Sequence, residues 1–309
     1  MNLIVLAYQE IGCVGLEALF EAGAEVRAVL THQDEAGEKI WFRSVAQTAA
    51  AAGIPVYTPT DPNAPEVLAL VEKLNPDYVF SFYYRQLLSP EFLALAGRGA
   101  YNLHGSLLPQ YRGRAPINWV LVNGETETGL TLHRMVKKPD AGPIAAQVKV
   151  TISESDTVSD LYLKMIPAAK RLMAETWPRL RDGLIVEVGQ DESQATCFGR
   201  RRPEDGRIDW RLPAGNIYNL CRAVTHPYPG AFTFYKSRKL FIWSAACDLQ
   251  PGPAADPGVI IEAAPGEGLT VSTGLGQLVI RSAQWAGEEQ INGRELYTRL
   301  TPGERFDMS

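Results

Sequence analysis

Residues 99–116 read G-A-Y-N-L-H-G-S-L-L-P-Q-Y-R-G-R-A-P and change character half-way. The apolar run 100–103 suits a buried strand, and Gly105 and Ser106 close it. Asn102 and His104 stand two apart, so in a strand their side chains share one face. A loop follows with Pro109, Gly113 and Pro116, and it carries Arg112 and Arg114. Pro116 suits the first turn of a helix, which residues 117–121 continue. Strand, basic loop and helix in this order form one unit of an α/β sheet. In open α/β sheets, ligands bind beyond the carboxyl ends of the strands. An asparagine can donate to an oxygen that gains negative charge, and a histidine exchanges a proton near neutral pH. The pair suits chemistry at a carbonyl-like carbon. A purely structural hydrogen-bonded pair is the alternative.

Working outward toward the N-terminus, residues 3–8 read as a buried strand, 9–15 as a loop and 16–21 as a helix closed by Gly23. Gly12 and Gly15 do not complete G-x-G-x-x-G, so they are expected to serve a tight turn and close helix–sheet packing rather than a dinucleotide. Strands at 25–31, 54–57 and 78–82 alternate with helices at 44–52 and 64–74 and one starting at Pro90. This alternation predicts a mostly parallel, doubly wound sheet. Further on, a strand at 128–136, a turn at 137–143 and a strand at 144–152 precede a helix capped by Ser155, Asp156 and Thr157. That helix runs toward Asp182, with Pro167 expected to kink or break it, and a short strand follows at 184–188. His133 reads as a structural histidine inside its strand, and Arg112 as exposed.

Residues 190–202 are polar and end in Arg200, Arg201 and Arg202, either a solvated joint or a contact for an anionic ligand. Beyond lie a helix at 214–224, a turn at 226–230 that holds His226, and short Gly-punctuated strands at 232–234, 240–244, 258–262, 269–272 and 277–281. These predict a small β-barrel or meander, with a short helix at 294–300. The expected division is 1–189, a linker at 190–203, and 204–309.

With 309 residues the chain has room for two domains, and its apolar fraction can fill a core without staples. A formal charge of −5 argues against a nucleic-acid binder, which needs a basic face. Cys13, Cys197, Cys221 and Cys247 are scattered and read as buried free thiols of a reducing compartment. The four histidines form no H-x-H or H-E-x-x-H set, so no metal is expected. The first apolar run has no basic region before it, and no stretch has the length of a membrane span. A soluble, cytoplasmic protein is expected.

Asn102-x-His104-Gly-Ser-Leu-Leu-Pro109, with Asp140 in an Asp-Ala-Gly turn, resembles the signature of formyltransferases that use 10-formyltetrahydrofolate. The stretch from His104 to Lys137 is similar to the formyltransferase half of the polymyxin-resistance enzymes. Those enzymes formylate UDP-4-amino-4-deoxy-L-arabinose for lipid A modification. The resemblance covers nearly the whole chain and is densest at 81–140. It implies a Rossmann-like formyltransferase domain followed by an OB-like barrel. It implies that Asn102 supports the oxyanion, that His104 moves the proton, and that Asp140 raises the histidine's proton affinity. By itself Asp140 reads as a turn residue. The folate would lie against Gln86, Leu87, Leu88, Arg114 and the run Val136, Lys137, Lys138, Pro139, Asp140. For Leu87 and Leu88, ordinary loop packing is the alternative.

The expected acceptor is a UDP-aminosugar. Methionyl-tRNA formyltransferases share the signature but carry a basic insertion after the second strand, where residues 31–39 here are short and acidic. tRNA affinity draws on neutralised phosphates. Another nucleotide-linked aminosugar, hydrolysis of the formyl donor by water, or binding without turnover are the alternatives. The sequence ends at Ser309, before the place where the two-function relatives carry a decarboxylating dehydrogenase, so no oxidation and no NAD are expected. Self-association is left open.

Overall fold

Asn2–Ala7 form β1, and its side chains from Leu3 to Ala7 are wholly buried. A computed structural model describes residues 1–34, 40–250, 255–264 and 268–308. From β1 the chain enters a helix with no intervening loop. In order follow α1 (Gln9–Glu21), β2 (Glu25–Leu30), α2 (Val45–Ala51), β3 (Val56–Tyr57), α3 (Pro65–Leu74), β4 (Tyr78–Phe82), α4 (Pro90–Ala94), β5 (Gly99–His104), β6 (Arg112–Gly113), α5 (Pro116–Val122), β7 (Glu127–Arg134), β8 (Ile144–Thr151), α6 (Val158–Arg181) and β9 (Cys197–Phe198). The remainder is α7 (Ala214–Val224), β10 (Ala231–Tyr235), β11 (Arg238–Asp248), β12 (Ile260–Ala264), β13 (Gly268–Ser272), β14 (Gln277–Trp285), β15 (Gln290–Asn292) and α8 (Gly293–Arg299).

Two compact units result: residues 1–116, 127–151 and 162–199 in one, and 117–126, 152–161 and 200–309 in the other. The first is built on a seven-stranded sheet of order β3-β2-β1-β4-β5-β7-β8. The pairs among β1 to β5 are parallel, while β7 pairs antiparallel with β5 and β8 antiparallel with β7. The sheet is therefore Rossmann-like and mostly parallel. Its strand order reverses between β1 and β4, the crevice where such sheets take ligands.

The glycines of α1 show why no loop precedes it. A Cβ on Gly15 would sit 2.8 Å from the Phe82 ring, and one on Gly12 3.1 Å from the Ala7 Cβ. They let the helix lie close on β1 and β4, and the expected turn does not exist. Helix α6 runs unbroken through Pro167 and Pro178, so the chain does not break at Pro167. Leu161, Tyr162, Met165, Ala169, Met173 and Trp177 are all buried at helical spacing. Burial of such a row contributes about 2 kcal/mol per large side chain, enough to offset the bonds lost at two prolines. The expected strand at 184–188 reduces to one bridge between Ile144 and Val188.

The second unit holds an antiparallel sheet of order β10-β11-β14-β13-β12, with β15 on β14. Register shifts in β11 and β12 bend the strands as bulges do, giving the small barrel-like domain. Strand β15 is an addition to the expected set. Between the strands expected at 240–244 and 258–262, residues 251–254 lie outside the described residues. The four cysteines are free, but only Cys13 and Cys221 are buried, while Cys247 is half-buried and Cys197 exposed. Among the described residues, no helix is long and apolar enough to cross a membrane.

Candidate active site

Strand β5 lies between β4 and β7, with Asn102 opposite Ser81 on one side and His133 on the other. His104 is its last residue, 6% exposed, and Asn102 is half-buried. The loop after it is tied to β7. Leu108 N–H donates to Thr131 Oγ1 at 3.1 Å, and that hydroxyl donates to the Ser106 carbonyl at 2.7 Å. Gly105 allows the turn, since a Cβ there would meet the Tyr83 hydroxyl at 2.5 Å. The loop brings the Tyr111 carbonyl to His104 Nε2 at 2.8 Å.

Asp140 reaches the strand end from the turn after β7. Its Oδ1 lies 3.5 Å from His104 Nδ1 and 3.4 Å from His133 Nε2, and its Oδ2 accepts the Gly113 N–H at 2.9 Å. Gly113 has φ +97°, and a Cβ there would lie 2.3 Å from the Phe198 carbonyl, so only glycine fits the β6–β9 pairing that aims this N–H. Asn102 Nδ2 lies 3.3 Å from His133 Nε2. Asn102, His133, Asp140 and His104 thus form one contact chain at the carboxyl end of β5.

Burial pushes the proton affinity of His104 down, against the pull of Asp140 and the Tyr111 carbonyl. The ring is neutral at neutral pH. With Nε2 donating to Tyr111, Nδ1 is left as the basic nitrogen facing Asp140; this tautomer follows from the partners. Burial works against ionisation of Asp140, but the His133 contact, the His104 charge and the Gly113 N–H outweigh it and hold its carboxyl at about 2. The site therefore rests as a neutral base beside a fixed negative charge.

His133 is buried with both ring nitrogens partnered, as its structural reading expects, and it also touches Asp140. Its Nδ1 faces the Arg134 carbonyl at 3.0 Å, and its Nε2 stands between Asn102 Nδ2 at 3.3 Å and Asp140 Oδ1 at 3.4 Å. Arg112 is a correction, being 5% exposed rather than exposed. A buried guanidinium must have bonded partners, and its partners lie near residue 190, far along the chain.

The remaining expected residues divide. Arg114 is exposed and donates to the Arg85 carbonyl at 3.2 Å, which joins it to the segment holding Gln86, Leu87 and Leu88. Gln86 donates to the Thr60 carbonyl at 2.6 Å. Leu88 packs on the cluster that also receives Met135, so the segments before and after residues 88 and 135 flank the same core. Leu87 is 70% exposed and Val136 39%. Lys137, Lys138 and Pro139 are exposed. A cavity of about 210 Å³ opens at the carboxyl ends of β1, β2 and β3, lined by Tyr8, His32, Asp34, Phe42, Arg43 and Thr58 among others. Residues 35–39 of the expected acidic segment lie outside the described residues. Among the described residues, no group of three or more His, Cys, Asp or Glu is placed to hold a metal.

A family model described as formyl transferase matches residues 14–176, more than half of the chain, and its C-terminal domain model matches residues 201–301. The chain belongs to the formyl transferase family. It is an enzyme of formyl transfer. The sugar 3N-formyl transferase WlaRD, solved in the presence of dTDP and 5-N-formyl-THF, is 18% identical, with a TM-score of 0.70 over 94% of this chain and 99% of its own. An N-formyltransferase from Helicobacter canadensis, in complex with folinic acid and dTDP-3-aminofucose, is 20% identical, with a TM-score of 0.69 over 90% and 98%. The methionyl-tRNA formyltransferase from Clostridium thermocellum is 19% identical, with a TM-score of 0.57 over 80% and 93%. At these identities the likeness shows the formyltransferase fold.

Proposed function

We propose that this chain transfers the formyl group of 10-formyltetrahydrofolate to the amine of a UDP-linked aminosugar, with UDP-4-amino-4-deoxy-L-arabinose as the first acceptor to test. The observation that carries this reading is the contact chain from Asn102 through His133 and Asp140 to a neutral His104. Solved relatives of the same fold that hold dTDP or a dTDP-aminosugar together with a formylated folate support it. The net charge of −5 and the acidic 31–39 segment favour a nucleotide sugar over tRNA.

The folate supplies the activated formyl group and a nitrogen that must leave with a proton. The acceptor amine forms a bond to the formyl carbon as the bond to the folate nitrogen breaks, and one proton moves from amine to leaving nitrogen. Asn102 donates an N–H to the formyl oxygen as charge builds there. His104 takes the amine proton at Nδ1. The imidazolium so formed has acceptors on both sides, Asp140 and the Tyr111 carbonyl, and then returns the proton to the leaving nitrogen.

The residues present fit the folate. Leu87 and Val136 offer exposed apolar surface to a pterin ring, backbone groups of residues 136–140 offer hydrogen bonds, and Arg114 offers a planar fork for a carboxylate. The cavity at the ends of β1 to β3 opens on the same sheet edge as His104 and is assigned to the acceptor. The test mixes the purified chain with 10-formyltetrahydrofolate and a panel of UDP- and dTDP-aminosugars, methionyl-tRNA and water alone, and follows products by mass. One formyl group gained on a UDP-aminosugar is the expected result. Formyl on methionyl-tRNA only, or formate release without an amine, would overturn the acceptor assignment.

A further inference from the structure

Asp140 has φ +54°, a left-handed conformation that costs about 1 kcal/mol for a residue with a Cβ. Such a conformation persists where the surroundings over-determine it. Here the determining group comes from 50 residues away. Gln190 Nε2 donates to the Asp140 carbonyl at 2.8 Å and to the Gly142 carbonyl at 2.7 Å. Gln190 Oε1 accepts from Arg112 Nε at 3.1 Å and from Nη2 at 2.6 Å. The buried Arg112 closes its fork on Glu192 at 3.1 and 2.7 Å, and Glu192 also accepts from Lys138 at 2.8 Å. Both donors and the acceptor oxygen of the Gln190 amide are used. Gly113, next to Arg112, supplies the N–H on the Asp140 carboxylate. One short segment therefore holds Asp140 by its side chain directly and by its backbone through Gln190.

We propose that Gln190, oriented by Arg112, is a positioning residue that sets the Asp140 carboxylate against His104. The contact it governs is 3.5 Å long, so a small shift of the turn changes the electrostatic coupling between carboxylate and ring. The proposal rests on the reading of His104 and Asp140 as the proton-moving pair.

The test compares Gln190→Met, which keeps size and removes both donors, with Arg112→Lys, Asp140→Asn and the wild type. Melting temperature is checked for each. NMR titration follows the His104 ring, assigned by its loss in His104→Ala. Asp140 and His133 are the titratable groups facing it. In Gln190→Met and Arg112→Lys the titration moves to lower pH, in the direction of Asp140→Asn, because the carboxylate that favours the charged ring has moved away. Turnover falls about tenfold to a hundredfold, with KM for the formyl donor within about threefold. A folded Gln190→Met with the His104 titration unmoved overturns the proposal, whether or not turnover falls, since a merely structural role would give that result. If Gln190→Met fails to fold, Arg112→Lys decides by the same criterion. If the wild type transfers no formyl group at all, the reaction reading fails, and the titration still decides on the positioning.

Discussion

Strands β5 and β7 carry a polar cluster on each face, and the two are built on opposite plans. Tyr101 and Arg134 pair across the strands, as do their neighbours Asn102 and His133, and the pleat sends the two pairs to opposite faces. On the first face, Arg134 donates to Glu187 through Nε at 3.0 and 2.9 Å and through Nη2 at 2.7 Å. The Tyr101 hydroxyl donates to Glu187 as well, and Arg134 Nη1 caps the Arg98 carbonyl. That carboxylate is saturated. On the other face, Asp140 meets two imidazoles at 3.4 and 3.5 Å and one backbone N–H. It keeps an ionised carboxylate beside a His104 ring that rests neutral. A closed ion pair stabilises; an open one beside a neutral base can move a proton.

The largest effects that would break this contrast are on turnover. His104→Ala and Asn102→Ala each lower formyl transfer by about a hundredfold or more, with the melting temperature near that of wild type. Near-normal rates in either variant would remove the chemical role from this face. On the opposite face, Arg134→Met leaves the Glu187 charge without its cation. Stability in urea falls by about 2 kcal/mol, while turnover stays within about threefold. A turnover loss rivalling that of His104→Ala would erase the distinction between the faces.

Two pH experiments sharpen it. His104 has its proton affinity lowered by burial, so the unfolded chain binds that proton more readily. Its contribution to stability is present above the ordinary histidine range and is lost as pH falls below it. The rate, which needs the neutral ring, is flat through neutral pH and declines only below about 6.5; a decline centred above that value contradicts the assigned state. Asp140, held at about 2 against an ordinary 3.8, contributes about 2 kcal/mol above pH ~4, lost as pH falls toward ~2. Acid unfolding of Asp140→Asn is expected to lack that segment of the curve. The smallest effect is at the proposed pterin wall, where Leu87→Ala raises the donor KM about threefold, on the order of 1 kcal/mol of lost apolar contact, with turnover unchanged.

Much of this was legible in the sequence for a physical reason. The central strands β1, β4 and β5 are buried and short, and Pro65, Pro90 and Pro116 stand at helix starts, so composition marks both. Asn102 and His104 declare themselves because polar residues at the end of an apolar run need a reason. Three features were hidden. Gly12 and Gly15 look like a turn in sequence, and only the Phe82 ring beneath the helix shows why they are small. Pro167 looks like a breaker, and the buried row of α6 overrides it. His133, Arg112 and Gln190 look unremarkable because their partners are remote in sequence, and a polar run at 190–202 reads as linker whether or not its side chains reach back.

The most direct measurement runs Asp140→Asn and Glu187→Gln side by side in the mass-detected formyl-transfer assay, with thermal melts of both. Asp140→Asn is expected to lose turnover about a hundredfold while remaining folded, its melting temperature lowered by the ~2 kcal/mol the carboxylate contributes. Glu187→Gln is expected to keep its turnover and melt lower. Equal losses of turnover in the two variants, or an active Asp140→Asn, would contradict the assignment of the chemistry to the Asp140 face.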